Sequence, residues 1–178
     1  LRPHAREAIA ALKRLGIAIA MLTGDHRAAA AAVAEQIGIT EIHAEMTPET
    51  KLREIYRCKQ AGQRVGVVGD GINDAPALAA ADVGITFGSA TDVAIGAADI
   101  TIVHDRLDRL PTIIILARRS VRIIKQNLFW AFFYNVAAIP LAATGRVSPG
   151  IAAAAMMFSS ISVILNSLRL RRLHVPSS

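Results

Sequence analysis

Residues 65–74, Val65-Gly66-Val67-Val68-Gly69-Asp70-Gly71-Ile72-Asn73-Asp74, join an apolar run to a glycine-rich turn that carries two acids. The small and β-branched residues of this run are typical of a strand buried on both faces of a parallel sheet. The glycines of the turn allow the backbone to approach an anion closely. Asp70 and Asp74 offer the hard oxygen ligands that suit Mg²⁺ held partly by phosphate. The alternative is a strand and a tight turn in which Asp70 only caps a helix.

Two further segments favour phosphate chemistry. Residues 17–25 form an apolar run that ends in Thr23-Gly24-Asp25, before an alanine-rich helical stretch. The Thr23 hydroxyl and the next backbone N–H groups are suited to bind a phosphoryl oxygen near a helix N-terminus. Thr47-Pro48 is typical of a helix N-cap and first helical residue, which places Lys51 in the opening turn. A cation there opposes the helix dipole unless an anion is bound, although a solvated surface charge is the simpler interpretation of Lys51 alone.

Taken in order, three motifs resemble those of haloacid-dehalogenase-like phosphotransferases, and specifically the phosphorylation domain of P-type ATPases. They are Thr23-Gly24-Asp25, Pro48-x-x-Lys51 and the segment 69–74. Residues 74–85 and 91–95 also resemble that family, whereas residues 88–91 and Gly96 depart from its usual pattern.

The resemblance implies a chemistry for these motifs. It implies that ATP is the phosphoryl donor, that Asp70 and Asp74 organise Mg²⁺, and that Lys51 offsets phosphoryl charge. It also implies catalytic roles around the phosphate for four further residues, Thr23, Gly24, Asp25 and Asn73.

The phosphorylated aspartate of that family belongs to an Asp-Lys-Thr-Gly-Thr motif, which does not occur between Leu1 and Ser178. We therefore expect the chain to be the carboxyl-terminal part of a pump and to be inactive in ATP turnover by itself. The partners implied are the amino-terminal part of the same pump and a metal-donating chaperone. A nonenzymatic membrane module that regulates a partner pump is an alternative.

Helical and strand patterns alternate over residues 1–105, which predicts a parallel, doubly wound, Rossmann-like α/β sheet. The motif loops are expected to meet at the carboxyl ends of its strands. Helices are predicted at 5–15, 27–37, 49–61 and 75–80, and strands at 17–22, 42–45, 65–69, 83–86 and 100–103. The domains predicted are a partial phosphorylation domain at 1–111, a stalk helix at 112–127, a membrane domain at 128–172 and a cytoplasmic tail at 173–178.

Charge is distributed unevenly along the chain. Residues 1–112 hold 12 Lys and Arg and all 14 acidic residues, whereas residues 113–178 hold 8 basic residues and no acid. A nucleic-acid-binding surface would interleave such cations with stacking aromatics or contain a recognisable reading helix, and the sequence has neither pattern. We therefore expect no nucleic-acid partner.

The cations instead flank two uncharged apolar runs, 128–145 and 150–168. Each is close to the roughly 20 residues that span a bilayer as a helix. By the positive-inside rule, we predict a two-helix transmembrane hairpin with both ends cytoplasmic, in a multi-pass protein of the bacterial cytoplasmic membrane. Two buried helices of a larger soluble domain are the alternative.

Polar residues within these runs need partners in hydrocarbon and usually face a bundle interior or a pathway. Met156 and Ser160 fall on one helix face, and a thioether favours Cu(I), although methionine is more often packing. Tyr134-Asn135 and Met156-x-x-Ser159-Ser160 resemble the last two helices of copper-exporting P-type ATPases. The resemblance implies that Tyr134, Asn135, Met156 and Ser160 bind transported Cu(I) or Ag(I), together with a Cys-Pro-Cys that this chain lacks. A P-type ATPase for another cation, such as Zn²⁺ or Ca²⁺, is the alternative.

Overall fold

The computed structural model describes residues 3–103, 105–143, 145 and 149–172, and the chain divides into two compact units, Leu1–Pro111 and Thr112–Ser178. Helices and strands alternate in the first unit, as predicted. Its helices are α1 (Ala5–Arg14), α2 (Arg27–Ile37), α3 (Pro48–Gln60), α4 (Ala75–Ala80) and α5 (Asp92–Ala97). Its strands are β1 (Ala20–Leu22), β2 (Glu41–His43), β3 (Gly66–Val68), β4 (Val83–Phe87) and β5 (Ile100–Ile102).

The strands of the described residues are all paired in parallel, as predicted, but they form two sheets and not the single sheet expected. In one sheet β1 pairs with β2, with Ala20 opposite Glu41. In the other, β4 lies between β3 and β5. Alternation of helices and strands predicts parallel pairing but does not specify which strands are neighbours. One edge of β1 and one edge of β3 therefore remain unpaired among the described residues.

The core of the first unit is centred on β4, in which residues 84–87 are buried. A Cβ at Gly84 would lie 2.6 Å from the carbonyl oxygen of Leu78, so α4 packs on β4 more closely than any side chain at position 84 permits. Leu78 is itself only 1% exposed. This close packing fixes the connection from β3 to α4, which carries the acids predicted to form a site.

Two helices of the first unit begin at threonine caps. The Thr47 hydroxyl accepts the N–H of Thr50 at 3.3 Å, and Pro48 is the first residue of α3, as predicted. The Thr91 hydroxyl accepts the N–H of Ala94 at 3.3 Å and begins α5, which the sequence patterns did not predict. The six residues of α5 include Val93 and Gly96, which are poorer helix formers than the alanines of α4, so the sequence signal for this helix is weak.

The second unit contains most of α6 (Arg109–Ala143), followed by α7 (Pro149–Leu168) and a 3-10 turn (Arg169–Arg172). Asn127 donates a side-chain hydrogen bond to Ser167 at 3.0 Å and accepts one from Asn166 at 2.8 Å. Only five residues separate α6 from α7, and these contacts lie about equally far from that connection on both helices. The two helices therefore run antiparallel, as expected of a short connection.

None of the helices, over the residues that the structure describes, combines the length and the apolar character that a membrane span requires. The two spans predicted at 128–145 and 150–168 are therefore not confirmed. Residues 146–148, which lie between the two predicted spans, and residues 173–178 of the predicted tail are outside the described residues.

Candidate functional site

Lys51 and Asp74 are in direct contact. Lys51 Nζ donates to Asp74 Oδ1 at 2.8 Å, and the two side chains are 15% and 24% exposed, respectively. The contact joins the opening turn of α3 to a 3-10 turn (Ile72–Asp74) that leads into α4. Partial removal from water strengthens the attraction between these charges relative to an exposed pair. Two segments predicted to share a site are thus joined.

Gly69 leaves the space that Asp74 occupies. A Cβ at position 69 would lie 2.7 Å from Asp74 Cβ and 3.1 Å from its Oδ2, which is too close for a side chain without a shift. The backbone of Gly69 is also fixed from β4. Its N–H donates to the carbonyl of Ile85 at 3.1 Å, and its carbonyl accepts the hydroxyl of the fully buried Thr86 at 2.7 Å. A side chain at position 69 would displace the Asp74 carboxylate from Lys51.

Asp70 and Asn73 lie on the same turn, and both residues are exposed. The carbonyl of Asp70 accepts the N–H of Thr91 at 3.2 Å, so the turn is bound to the start of α5. Asn73 is the middle residue of the 3-10 turn that ends at Asp74. The turn between β3 and α4 therefore presents two carboxylates and an amide on a backbone that neighbouring elements hold in place.

Thr23, Gly24 and Asp25 directly follow β1. The N–H of Asp25 donates to Thr23 Oγ1 at 3.1 Å, and the Thr23 hydroxyl lies 3.0 Å from Asp25 Oδ2. These contacts form a tight turn that orients the Thr23 hydroxyl. All three residues were predicted to act around a phosphate.

A second set of contacts joins this turn to α3. The N–H of Thr23 donates to the carbonyl of His43 at 2.9 Å, and its carbonyl accepts the N–H of Met46 at 3.0 Å. Residue 46 immediately precedes the Thr47 cap of the helix that carries Lys51. A Cβ at Gly24 would lie 3.3 Å from the Met46 carbonyl oxygen, so the backbones approach closely there.

The oxygen ligands present on this turn fit Mg²⁺. Asp70 and Asp74 lie four residues apart, and proteins usually hold Mg²⁺ through one or two carboxylates, several waters and substrate phosphate. The described part of the chain holds no cluster of three or more His, Cys, Asp or Glu side chains able to bind a metal. The two carboxylates of the turn are therefore of the kind that hold Mg²⁺ together with phosphate and water.

Asp82 fixes the start of β3. Its carboxylate accepts the N–H of Val65 at 2.9 Å, and this hydrogen bond, together with Lys59 and Arg64 nearby, holds the pKa of Asp82 below its ordinary value. Lys59 also donates to the carbonyl of Ala80 at 2.8 Å. These contacts connect α3, the end of α4 and the strand that delivers Asp70.

The residues predicted to bind the transported ion lie in the second unit. Tyr134 and Asn135 are on α6, and Ser160 is on α7. The ring of Tyr134 is half-buried, and its centroid lies 6.3 Å from that of Trp130. Met156 belongs to α7, but its side chain is outside the described residues.

The helix register relates two of these residues. Starting from the contact between Asn127 and Ser167, Tyr134 and Ser160 each lie seven residues closer to the connection. Seven residues are about two helical turns and about 10 Å along an axis. Along the antiparallel helices α6 and α7, Tyr134 and Ser160 are therefore equally spaced in sequence from the contact between Asn127 and Ser167.

Residues 1–82 match the model of the haloacid dehalogenase-like hydrolase family. Over 175 residues the chain is 49% identical to a copper-exporting P-type ATPase of Staphylococcus aureus (strain JH9), and the match covers 98% of this chain. The chain belongs to the P-type ATPase family. It spans 22% of the length of that relative.

Solved P-type ATPase structures agree with this assignment. A zinc-transporting PIB-type ATPase in the E2.Pi state is 38% identical and superposes with a TM-score of 0.90, over 97% of this chain and 28% of that one. The catalytic domain of a CPx-ATPase is 35% identical with a TM-score of 0.60, over 64% of this chain and 45% of that one. The haloacid-dehalogenase-like α/β fold predicted from the sequence is therefore confirmed.

Sequence reasoning missed three residues that support the P-type ATPase motifs. The Thr86 hydroxyl donates to the Gly69 carbonyl, and the Thr91 N–H donates to the Asp70 carbonyl. The Asp82 carboxylate accepts the N–H of Val65, just before β3. Thr91 was detectable as a threonine followed by an acid, the pattern of a helix N-terminus. A hydroxyl within the apolar strand 83–87 was the only signal for Thr86.

Proposed function

We propose that the chain forms part of an ATP-driven Cu(I) exporter that works through an aspartyl-phosphate intermediate. The first unit supplies the groups that hold Mg²⁺ and the phosphoryl group, and the second supplies part of the ion pathway. The observation that carries this proposal is the 2.8 Å contact between Lys51 and Asp74, which joins two distant motifs. The copper-exporting relative at 49% identity supports the reaction class and the transported ion.

Catalysis of phosphoryl transfer depends mostly on positioning and electrostatic stabilisation. Lys51 offsets charge on the phosphoryl oxygens, while Asp74 holds its ammonium group in place. Asp70 and Asp74 hold Mg²⁺, and the bound ion supplies neutralisation of phosphoryl charge. Asn73, on the same turn, orients groups around the phosphate.

The turn after β1 binds the phosphoryl group from another direction. Thr23 donates its hydroxyl to a phosphoryl oxygen, which requires release of its present contact with Asp25. Asp25 keeps the Thr23 side chain oriented until the phosphoryl group is bound. Gly24 allows the backbone N–H groups of this turn to approach the anion.

The unpaired edges of β1 and β3 support a place for the phosphorylated aspartate. Thr23 follows β1 and Asp70 follows β3, each at the carboxyl end of its strand. A parallel strand from the rest of the pump, hydrogen-bonded to both edges, would end between these two residues. That strand would deliver its aspartate to the Mg²⁺ and phosphoryl site.

The ion site is proposed between α6 and α7. Tyr134, Asn135, Met156 and Ser160 supply the ligands, and the equal spacing of Tyr134 and Ser160 from the contact between Asn127 and Ser167 supports their convergence. In the complete pump these helices form the membrane hairpin, with both ends cytoplasmic in a bacterial membrane. The lipid bilayer, the amino-terminal part of the pump and a metal-donating chaperone are its partners.

Zinc is the second candidate cargo, because the zinc-transporting ATPase superposes on 97% of the chain. A thioether ligand favours Cu(I) over Zn²⁺. In the complete pump, Met156→Leu is expected to lower Cu(I)-stimulated ATP hydrolysis about tenfold or more, since one of few ligands is lost. Met157→Leu, at the adjacent position, is the matched control and should retain activity. Equal stimulation in the wild type and Met156→Leu, or stimulation by Zn²⁺ alone, would contradict the copper assignment.

Phosphoenzyme formation tests the reaction itself. The complete pump that contains this sequence is incubated with ATP labelled on its γ-phosphate, and acid-stable labelled protein is measured. Labelling should require both Mg²⁺ and Cu(I). Asp70→Asn is expected to reduce it about 100-fold, whereas Glu49→Gln, an exposed acid at the start of α3, should leave it unchanged. Full labelling of Asp70→Asn would refute the proposed site.

A further inference from the structure

A groove on one face of α6 combines cations with aromatic rings. Arg118, Arg122 and Lys125 follow one another at helical spacing, and Phe129 and Trp130 continue the same face. With two neighbouring residues they line a groove of about 430 Å³, here called the basic-aromatic groove. The five side chains belong to exposed residues. The groove has the size of a site for a small ligand or a lipid headgroup.

Charge complementarity identifies the ligand class at one end of the groove. Residues 113–178 contain 8 basic residues and no aspartate or glutamate, so this segment carries a strongly positive charge. Arginine and lysine together favour phosphate, through the planar guanidinium donors and the point charge of the ammonium group. The basic end therefore fits an anionic phosphate group.

The other end of the groove is apolar. The rings of Phe129 and Trp130 meet edge to face with centroids 5.5 Å apart, and Trp130 packs against Phe133 in the same way at 5.9 Å. Tryptophan is enriched where a membrane meets water, because its ring is apolar and its N–H is polar. Long basic side chains beside such rings extend their charged ends toward the headgroups. A ligand with an anionic head and an apolar body would contact the basic end and the apolar end of the groove at once.

We propose that the basic-aromatic groove binds an anionic phospholipid. The headgroup phosphate lies against Arg118, Arg122 and Lys125, and an acyl chain follows Phe129 and Trp130. The inference rests on the membrane placement of α6 proposed above. Its consequence for the pump is that anionic lipid holds α6 at a fixed depth, at the junction of its basic and apolar parts.

Fluorescence of Trp130, the single tryptophan of the chain, gives a direct test. The 178-residue chain is placed in phosphatidylcholine nanodiscs that contain an increasing fraction of lipid with brominated acyl chains, which quench tryptophan on contact. Brominated phosphatidylglycerol should quench Trp130 at a lower fraction than brominated phosphatidylcholine does. Arg122→Gln and Lys125→Gln should each reduce this preference by up to about fivefold. Arg119→Gln, a neighbouring cation outside the groove lining, is the matched control and should retain it.

The outcomes separate this inference from the proposed function. Strong and equal quenching by both lipids would refute the anionic-lipid site while leaving the membrane placement intact. Absence of quenching by either lipid would refute both. If millimolar inorganic phosphate abolished the preference for phosphatidylglycerol, the groove would be a site for free phosphate, and the lipid assignment would be wrong. An equal loss of preference in Arg119→Gln would also overturn the assignment to this face.

Discussion

Replacing Lys51 by methionine should weaken the first unit through its effect on Asp74. The substitution keeps most of the side chain's length and apolar stem but removes the ammonium group that lies 2.8 Å from Asp74 Oδ1. Asp74 is only 24% exposed, so water replaces the lost partner incompletely. Asp74→Asn removes the opposite charge with little change in shape. The double variant should therefore recover part of the stability that Lys51→Met loses.

The size of the coupling follows from the geometry. At an effective dielectric constant of about 20, two unit charges about 4 Å apart attract each other by about 4 kcal/mol. Dehydration of two largely buried charges offsets much of this attraction, which leaves a net coupling of about 1–3 kcal/mol. In the ion pair of Glu54 and Arg57 on the same helix, the Arg57 side chain is 69% exposed, so water screens the attraction and the coupling should be smaller.

Native-state hydrogen exchange of the β4 amides measures this coupling in the first unit alone, since these amides are in its core. The wild type, both single variants and the double variant form a thermodynamic cycle, and the Glu54 and Arg57 variants form the control cycle. The reasoning would be refuted if the effects of Lys51→Met and Asp74→Asn added within about 0.5 kcal/mol, since that is the behaviour of independent sites.

Three further predictions concern the scaffold of the site and are measured by the same exchange experiment. Gly69→Ala should lower the free energy of unfolding by about 1–3 kcal/mol, because the added Cβ displaces Asp74. Gly96→Ala, where nothing lies within 4 Å of the added Cβ, should leave the free energy of unfolding unchanged or raise it. Equal effects of the two substitutions would contradict the close approach of Gly69 and Asp74. Thr86→Val should lower the free energy of unfolding by about 1–2 kcal/mol, because the Gly69 carbonyl loses its buried hydrogen-bond donor. Unchanged hydrogen exchange in this variant would contradict the role of the Thr86 hydroxyl. The lowered pKa of Asp82 means that its charged form favours the folded state, and that this contribution is lost as pH falls through the lowered value. Between about pH 5 and pH 3 the wild type should thus lose more stability than Asp82→Asn, and parallel pH profiles would count against this explanation.

Features that depend on neighbouring residues in sequence could be predicted. The strand that ends before Asp70 and the threonine cap before Lys51 both lie where their local patterns place them. Contact between Lys51 and Asp74 was expected from the order of the motifs and their resemblance to a family. Spacing alone could not predict it, because the two residues are on different elements.

Features that depend on distant strands could not be predicted. The absence of hydrogen bonds between β1 and β3 follows from which strands are adjacent, and periodicity carries no such information. The role of Thr86 depends on the carbonyl of Gly69, a group that has no signature in sequence. The antiparallel pair of α6 and α7 was expected from two apolar runs and a short connection, whereas their crossing of a bilayer is not confirmed.

The central claim is that Thr23, Lys51, Asp70 and Asp74 surround one phosphoryl group and its Mg²⁺. It is tested most directly by a high-resolution structure of the complete pump with Mg²⁺ and an aluminium fluoride analogue of the transferred phosphoryl group. We expect Mg²⁺ about 2.1 Å from an Asp70 oxygen. Thr23 Oγ1 and Lys51 Nζ should lie about 3 Å from the analogue. An analogue bound without contact to Thr23 and Lys51, or Mg²⁺ held by other residues, would contradict the account.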